Sequence, residues 1–65
     1  MHIFVNQVQK EVSQSMDIAS LLEVLQPKKP FAISLNSQFI AKTHYAITIV
    51  QDNDRLEIIS PVTGG

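Results

Sequence analysis

The chain has 65 residues, a formal net charge of −1 and no cysteine. A domain of this length buries only about 60% of the surface that its unfolded chain exposes, which leaves little room for an enclosed active site. The balanced charge provides no basic stripe for nucleic acid, and no apolar run approaches the ~20 residues of a membrane span. Without cysteine, disulfides and thiolate chemistry are excluded. We therefore expect one small cytoplasmic domain, with no nucleic-acid partner and no membrane partner.

Residues that could support catalysis or bind a metal are few and scattered. His2 and His44 have no paired spacing, and Asp52 and Asp54 straddle a turn with too few companion ligands for a cation. The serines, aspartates and histidines show no nucleophile elbow. We therefore expect neither an enzyme nor a metal site.

The N-terminal segment alternates in the manner of a half-buried strand. Between Met1 and Asn6, Ile3 and Val5 fall on one side and Phe4 on the other. We expect the first two to face the core and Phe4 to point outward. A polar turn then leads into residues 8–12, which contain β-branched positions and predict the returning strand of a hairpin.

After Met16 the apolar period becomes that of a helix. Apolar residues recur at i, i+3, i+4 and i+7, namely Ile18, Leu21, Leu22 and Leu25. Asp17 is placed to act as the N-cap, while Ser20 stands where a complete capping box has Glu or Gln. The helix should end near Gln26, because Pro27 disfavours helical geometry in the residue before it.

Alternation returns in the second half of the chain. Strands are predicted at 31–36, 39–40 and 55–60, with an irregular or one-turn connection at 41–45 and a short strand or its approach at 46–50. Asn53, in the turn at 52–54, tolerates a left-handed conformation. In the last strand, Leu56 and Ile58 should face inward, and Glu57 and Ile59 outward.

The last five residues, 61–65, contain the only two glycines of the chain. Pro61 has no amide hydrogen and should end the last strand, which divides the chain into a domain at 1–60 and a flexible tail at 61–65. Five extended residues reach at most about 17 Å, enough to carry Gly65 into a partner's pocket. Glycine backbone enters a narrow slot without steric conflict. The alternative is an ordinary frayed terminus.

The order strand, strand, helix, strand, short strand and last strand predicts the α+β class and a β-grasp fold, in which a small mixed sheet wraps around one helix. The first and last strands would lie side by side at the centre. Phe4 and Ile59 would then share the outer sheet face near the root of the tail, as a partner-docking patch. Alternatively, both are ordinary exposed apolar residues, which are common singly.

Four stretches carry a resemblance to a known family. They are Met1 to Asn6, Asp17 to Leu22, Leu35 to Ile40, and Asp52 to Ile59 leading to Val62-Thr63-Gly64-Gly65. Over essentially its whole length the chain resembles the ThiS family, the ubiquitin-like sulfur-carrier proteins of thiamine biosynthesis. It departs from that family at Asn53, where members usually have glycine, and at Ala41, where they often have proline. Neither departure touches the tail.

The resemblance implies a sulfur carrier for the thiamine thiazole. An E1-like adenylating enzyme of the ThiF type would adenylate the Gly65 carboxylate, a cysteine desulfurase system would supply sulfur, and the resulting thiocarboxylate would serve a thiazole synthase of the ThiG type. Residues Val62, Thr63, Gly64 and Gly65 would enter the partner's active site. No cofactor would be bound, apart from the covalent acyl-AMP or thiocarboxylate at Gly65.

Three alternatives stand beside this interpretation. The small sulfur-carrier subunit of molybdopterin synthase shares the fold and the thiocarboxylate, and its tail is similar to Pro61-Val62, but it is usually longer and less similar at the Leu35-Asn36 turn. A ubiquitin-like modifier would attach to protein lysines. A simple interaction domain would have an inert tail.

Overall fold

The computed structural model describes residues 1–60. Its strands are β1 His2–Val5, β2 Val8–Glu11, β3 Met16–Asp17, β4 Ala32–Leu35, β5 Gln38–Ile40, β6 Ile49–Val50 and β7 Arg55–Ile59. One α-helix, α1, spans Ile18–Leu25, and a 3-10 helix spans Lys42–Ile47. Within this part of the chain, no helix has the length and apolar character needed to cross a membrane.

Five strands form one mixed sheet in the order β2-β1-β7-β4-β5. The central pair, β1 and β7, is parallel, with Phe4 opposite Arg55 and Val5 opposite Leu56. The remaining neighbours are antiparallel. The adjacency of the first and last strands confirms the prediction from element order, and a mixed sheet around one helix is the β-grasp arrangement.

The core lies between one face of this sheet and α1. Its buried side chains are Ile3, Val5, Ile18, Leu21, Ile33, Val50 and Leu56. The strands contribute alternate residues and the helix contributes its apolar stripe, as the two sequence periods predicted. Burying each such side chain stabilises the fold by about 1.5–3 kcal/mol relative to leaving it in water. We call this the inner face of the sheet, and the opposite one the outer face.

Helix α1 begins and ends where its capping residues require. The Asp17 carboxylate accepts the Ser20 N–H at 3.0 Å and the Ser20 hydroxyl at 2.8 Å, so the predicted N-cap is confirmed. At the other end, Gln26 adopts a left-handed conformation and donates its N–H to the Leu22 carbonyl at 2.7 Å. Pro27 follows directly, which confirms the predicted end of the helix.

The segment between β5 and β7 differs from its prediction in detail. The expected one-turn connection at 41–45 is a 3-10 helix of 6 residues. Residues 46–50 do contain a short strand, but β6 pairs with β3 in a separate two-stranded sheet. Val50 is fully buried, and the Ile18 N–H donates to the Thr48 carbonyl at 2.9 Å. Strands of two residues have no periodicity by which a sequence pattern could reveal them.

Candidate functional site

The residues predicted to carry the chemistry, Val62, Thr63, Gly64 and Gly65, lie outside the described residues. What the structure shows is the point from which they start. Strand β7 ends at Ile59, which is paired with Ala32 on β4, and Ser60 follows it. Since β7 is the middle strand of the five, the described part of the chain ends at the centre of the sheet.

The outer face of the sheet contains both residues predicted as a docking patch. Phe4 lies there because its neighbours Ile3 and Val5 are buried, and Ile59 is 54% exposed on the same face. The β1–β7 register places Phe4 beside Arg55, four residues before Ile59, or roughly 13 Å along the strand. Ile59 is therefore at the root of the tail, whereas Phe4 lies towards the opposite end of β7. Their docking role stays a prediction.

A third apolar side chain on this face is Phe39, which the sequence reasoning did not assign to a site. It is 74% exposed and lies opposite Ser34, whose neighbour across β7 is Glu57. The strand at 39–40 was predicted, but its faces were not. Alternation along the strand could have assigned Phe39 to the outer face, because its neighbour Ile40 pairs with the buried Ile33.

Between these apolar residues lies a cleft of about 470 Å³. Its lining combines one aromatic, one aliphatic, two polar and two charged residues: Phe4, Leu56, Gln7, Ser37, Arg55 and Glu57. Leu56 belongs to the core and closes the bottom of the cleft, while Arg55 and Glu57 are exposed on the outer face. The cleft is open, and its lining includes no histidine, no cysteine and no buried acid.

Two asparagine side chains hold the hairpins against β7 and so shape this cleft. Asn6 accepts the Ile58 N–H at 2.8 Å and donates to the Ile58 carbonyl at 3.3 Å, replacing a strand neighbour beyond the end of β1. On the other side, Asn36 accepts the Arg55 N–H at 2.9 Å and donates to Asp54 at 3.0 Å. Both flanks of the tail-bearing strand are thereby fixed.

Both asparagines begin two-residue hairpin turns with left-handed backbone. The φ angles are 50° and 69° at Asn6 and Gln7, and 51° and 71° at Asn36 and Ser37. Positive φ at both central residues is typical of type I′ turns, which favour Asn-Gly because glycine adopts this conformation without steric cost. In this protein, Gln7 and Ser37 occupy the second turn positions, where glycine is preferred.

Several ionisable groups within residues 1–60 form contacts that belong to the fold. Across the β1–β2 hairpin, His2 Nε2 lies 3.5 Å from the Glu11 carboxylate. The Ser20 hydroxyl bonded to Asp17, helped by the Ser20 amide, holds the pKa of that carboxyl below its usual range. This shift belongs to the helix cap and lies away from the outer face.

Asp52 and Asp54 close the turn before β7. Asp52 accepts the His2 N–H at 2.8 Å, and Asp54 accepts the Gln51 N–H at 2.8 Å. Asn53 between them has a φ of 70°, as predicted for this turn. In the described part of the chain, no group of three or more potential metal ligands comes together.

A β-grasp sheet whose central last strand leads into a Gly-Gly terminus defines the ubiquitin-like class of small domains. The model of the ThiS family matches residues 2–65, and the chain belongs to that family. The match extends through the tail and confirms the resemblance found in the sequence.

Solved structures agree with this assignment. The crystal structure of a thiamine biosynthesis protein (ThiS) from Geobacter metallireducens superposes with a TM-score of 0.88 at 25% identity, covering 100% of both chains. The NMR solution structure of a thiamine biosynthesis protein from the same organism gives a TM-score of 0.81 at 25% identity, covering 100% of this chain and 88% of that one. No curated protein sequence matches significantly.

Proposed function

We propose that this protein is a sulfur carrier of thiamine biosynthesis and that its working group is the Gly65 carboxylate. The observation that carries the proposal is the ThiS family match, which includes residues 64 and 65. The structural neighbours named as thiamine biosynthesis proteins support the same pathway. The domain is then a substrate of other enzymes, not a catalyst.

The proposed chemistry takes place at the terminal carboxylate. A carboxylate is a poor electrophile, so an oxygen of Gly65 first attacks the α-phosphorus of ATP on an E1-like, ThiF-type enzyme, and diphosphate leaves. The terminal sulfur of a persulfide formed by a cysteine desulfurase system then attacks the acyl carbon, and AMP leaves. A thiol breaks the S–S bond of the resulting acyl disulfide, which forms a new disulfide and releases the thiocarboxylate. The thiocarboxylate that remains is the sulfur donor for a ThiG-type thiazole synthase. With no cysteine in the chain, the terminus is where sulfur would be held.

The folded domain at 1–60 and the short tail at 61–65 have separate tasks in this role: the domain binds the partner, and the tail enters its active site. Beyond Ser60, five residues extend at most about 17 Å, which suits an active site buried inside a partner. Gly64 and Gly65 have no side chains, so a narrow pocket can close around Val62, Thr63 and the glycine backbone.

The outer face is the proposed surface on which these partners dock. The half-buried Phe4 and the exposed Ile59 and Phe39 place apolar area around the charged residues Arg55 and Glu57. Interfaces combine such apolar anchors with a polar rim, and aromatic residues are enriched at them. Ile59 adjoins the tail, so a partner that binds the tail also reaches this face.

The proposal is tested by ATP–diphosphate exchange with the adenylating enzyme of the same organism. The unmodified chain should support exchange, whereas removing Gly65 or adding one residue beyond it should abolish exchange. Changing Phe4 or Ile59 to Glu should weaken binding in titration calorimetry while the circular dichroism spectrum keeps its native form. Lys42→Glu, on the 3-10 helix, is the matched surface control. Exchange that survives removal of Gly65 would exclude the proposed site.

The names of the structural neighbours favour thiamine over the two other roles for the same tail. Deleting the gene should cause a requirement for thiamine. A loss of molybdenum-cofactor activity without that requirement would instead indicate the small subunit of molybdopterin synthase. An isopeptide link from Gly65 to protein lysines would indicate a modifier.

A further inference from the structure

The cleft on the outer face has a property that folding alone does not account for. Its two hairpin turns have left-handed backbone at their second positions, yet these positions are Gln7 and Ser37. A non-glycine residue with positive φ is disfavoured, and type I′ turns prefer glycine at this place. Glycine would therefore stabilise both hairpins. The chain instead has side chains that can form hydrogen bonds at both.

Both side chains line the same cleft, although they come from different hairpins on opposite flanks of β7. The other turn residues with positive φ are Asn6, Asn36 and Asn53, and asparagine tolerates this conformation at lower cost. The unfavourable turn residues of the hairpins thus converge on one place. Residues in sparsely populated backbone regions gather at functional sites.

Charge indicates what the cleft receives. Arg55 is exposed at the cleft and forms no salt bridge with an acidic side chain of residues 1–60. A guanidinium binds a carboxylate through paired hydrogen bonds. Glu57 lies two residues further along the same face, roughly 7 Å away, and would repel a second acid there. The cleft therefore suits a single carboxylate, with polar groups beside it and an apolar contact at Phe4.

The position of the cleft indicates which molecule supplies that carboxylate. Strand β7 passes from Leu56 beneath the cleft to Ser60 in four residues, or roughly 13 Å. An interface of standard size covers about 800 Å² on each partner, which is enough for a protein that binds residues 61–65 to reach the cleft as well. The adenylating enzyme is the first protein to act on the unmodified tail, so it must distinguish this domain from others.

We propose that the cleft receives an acidic segment of the adenylating enzyme, with Arg55 binding its carboxylate and with Gln7 and Ser37 as specificity-determining residues. This rests on the proposed function and names the surface by which the first partner recognises the domain. Each of the three side chains contributes to docking and none touches the reacting carboxylate. Their loss should therefore raise KM for the carrier and leave kcat unchanged.

The test uses glycine substitutions, because recognition and stability then change in opposite directions. Gln7→Gly and Ser37→Gly should each raise Tm, since glycine relieves the left-handed strain. Each should also raise KM for the carrier in ATP–diphosphate exchange by about threefold to tenfold, the range expected for one lost hydrogen bond. Arg55→Gln should raise KM by about tenfold or more. In high salt, which screens charges, the KM values of this variant and the unmodified chain should differ less.

Two controls match these changes. Gln26→Gly makes the same substitution at a left-handed residue, φ 49°, on the helix cap, and should raise Tm without changing KM. Lys42→Gln removes an exposed positive charge from the 3-10 helix and should leave KM unchanged. If Gln7→Gly, Ser37→Gly and Arg55→Gln all leave KM at the unmodified value, the inference is wrong.

The same assay separates the inference from the function on which it rests. Exchange by the unmodified chain that is abolished by removal of Gly65, together with unchanged KM in the three cleft variants, overturns the inference alone. No exchange by the unmodified chain overturns both. Weaker binding of the cleft variants to thiazole synthase, with unchanged binding to the adenylating enzyme, would also contradict it.

Discussion

The two faces of the five-stranded sheet are built from the same strands but have different requirements. On the inner face, Ile3, Ile33 and Leu56 are at most 1% exposed and contact α1. On the outer face, the residues next to them in sequence include the exposed Arg55 and Glu57 and the half-buried Phe4, Ala32 and Ser34. The fold requires buried apolar side chains on the inner face. It does not fix the residue types on the outer face, so these can be selected for contact with other proteins.

The largest expected effect comes from the inner face. Leu56→Ala leaves a cavity beneath β7 and should lower the free energy of unfolding by about 2–5 kcal/mol, a large share of the stability of so small a domain. Urea denaturation followed by circular dichroism measures this. A loss below about 1 kcal/mol would show that α1 and the sheet are loosely packed.

The asparagines at the two flanks of β7 should have the next largest effect. Asn6→Ala removes both side-chain hydrogen bonds to Ile58 and a residue suited to positive φ, so it should lower the free energy of unfolding by about 1–3 kcal/mol. Asn36→Ala should act similarly through Arg55 and Asp54. Asn53→Ala is the matched control, since it changes a left-handed turn residue without removing a bond to β7. Equal losses at all three positions would contradict the proposed clamping of β7.

A smaller and pH-dependent effect is expected at the cap of α1. Because the folded pKa of Asp17 lies below its unfolded value, the ionised cap stabilises the fold fully above the unfolded pKa, near 4. That stabilisation is lost as pH falls through the lowered folded pKa. Asp17→Asn keeps a capping oxygen but cannot titrate, and should flatten this part of the stability–pH curve. Thermal denaturation between about pH 2 and 6 tests it, and identical curves for both proteins would contradict the assignment.

The smallest effect on stability is expected on the outer face. Phe39→Ser should change the free energy of unfolding by no more than about 0.5 kcal/mol, because the ring is 74% exposed. The same variant should weaken binding to the adenylating enzyme in titration calorimetry. A large loss of stability with unchanged binding would show that Phe39 serves folding and not binding, which would contradict the proposed difference between the two faces.

The inner face was predictable from the sequence because its determinants are local and periodic. Alternation located β1 and β7, the helical period located α1, and Asp17 and Pro27 marked the ends of that helix. The order of elements then required β1 beside β7. Phe4 and Ile59 could be assigned to the outer face by the same alternation, but their separation of roughly 13 Å depends on strand register.

Other features depend on contacts that no local pattern reveals. The bonds from Asn6 to Ile58 join residues 52 apart in sequence, and the pairing of β3 with β6 involves strands of two residues each. The cleft arises only when the two hairpins lie on either side of β7. The sequence predicted a turn in each hairpin, but not that Gln7 and Ser37 line the same cleft.

The central claim is that the tail of this domain carries sulfur on Gly65. Intact-mass analysis of the protein isolated from its own cells, with fragmentation of the C-terminal peptide, tests it most directly. We expect a fraction in which one oxygen of the terminal carboxylate is replaced by sulfur, and that fraction should disappear when the adenylating enzyme is deleted. A terminus found only as the free carboxylate in cells that are making thiamine, or joined to lysines of other proteins, would contradict it.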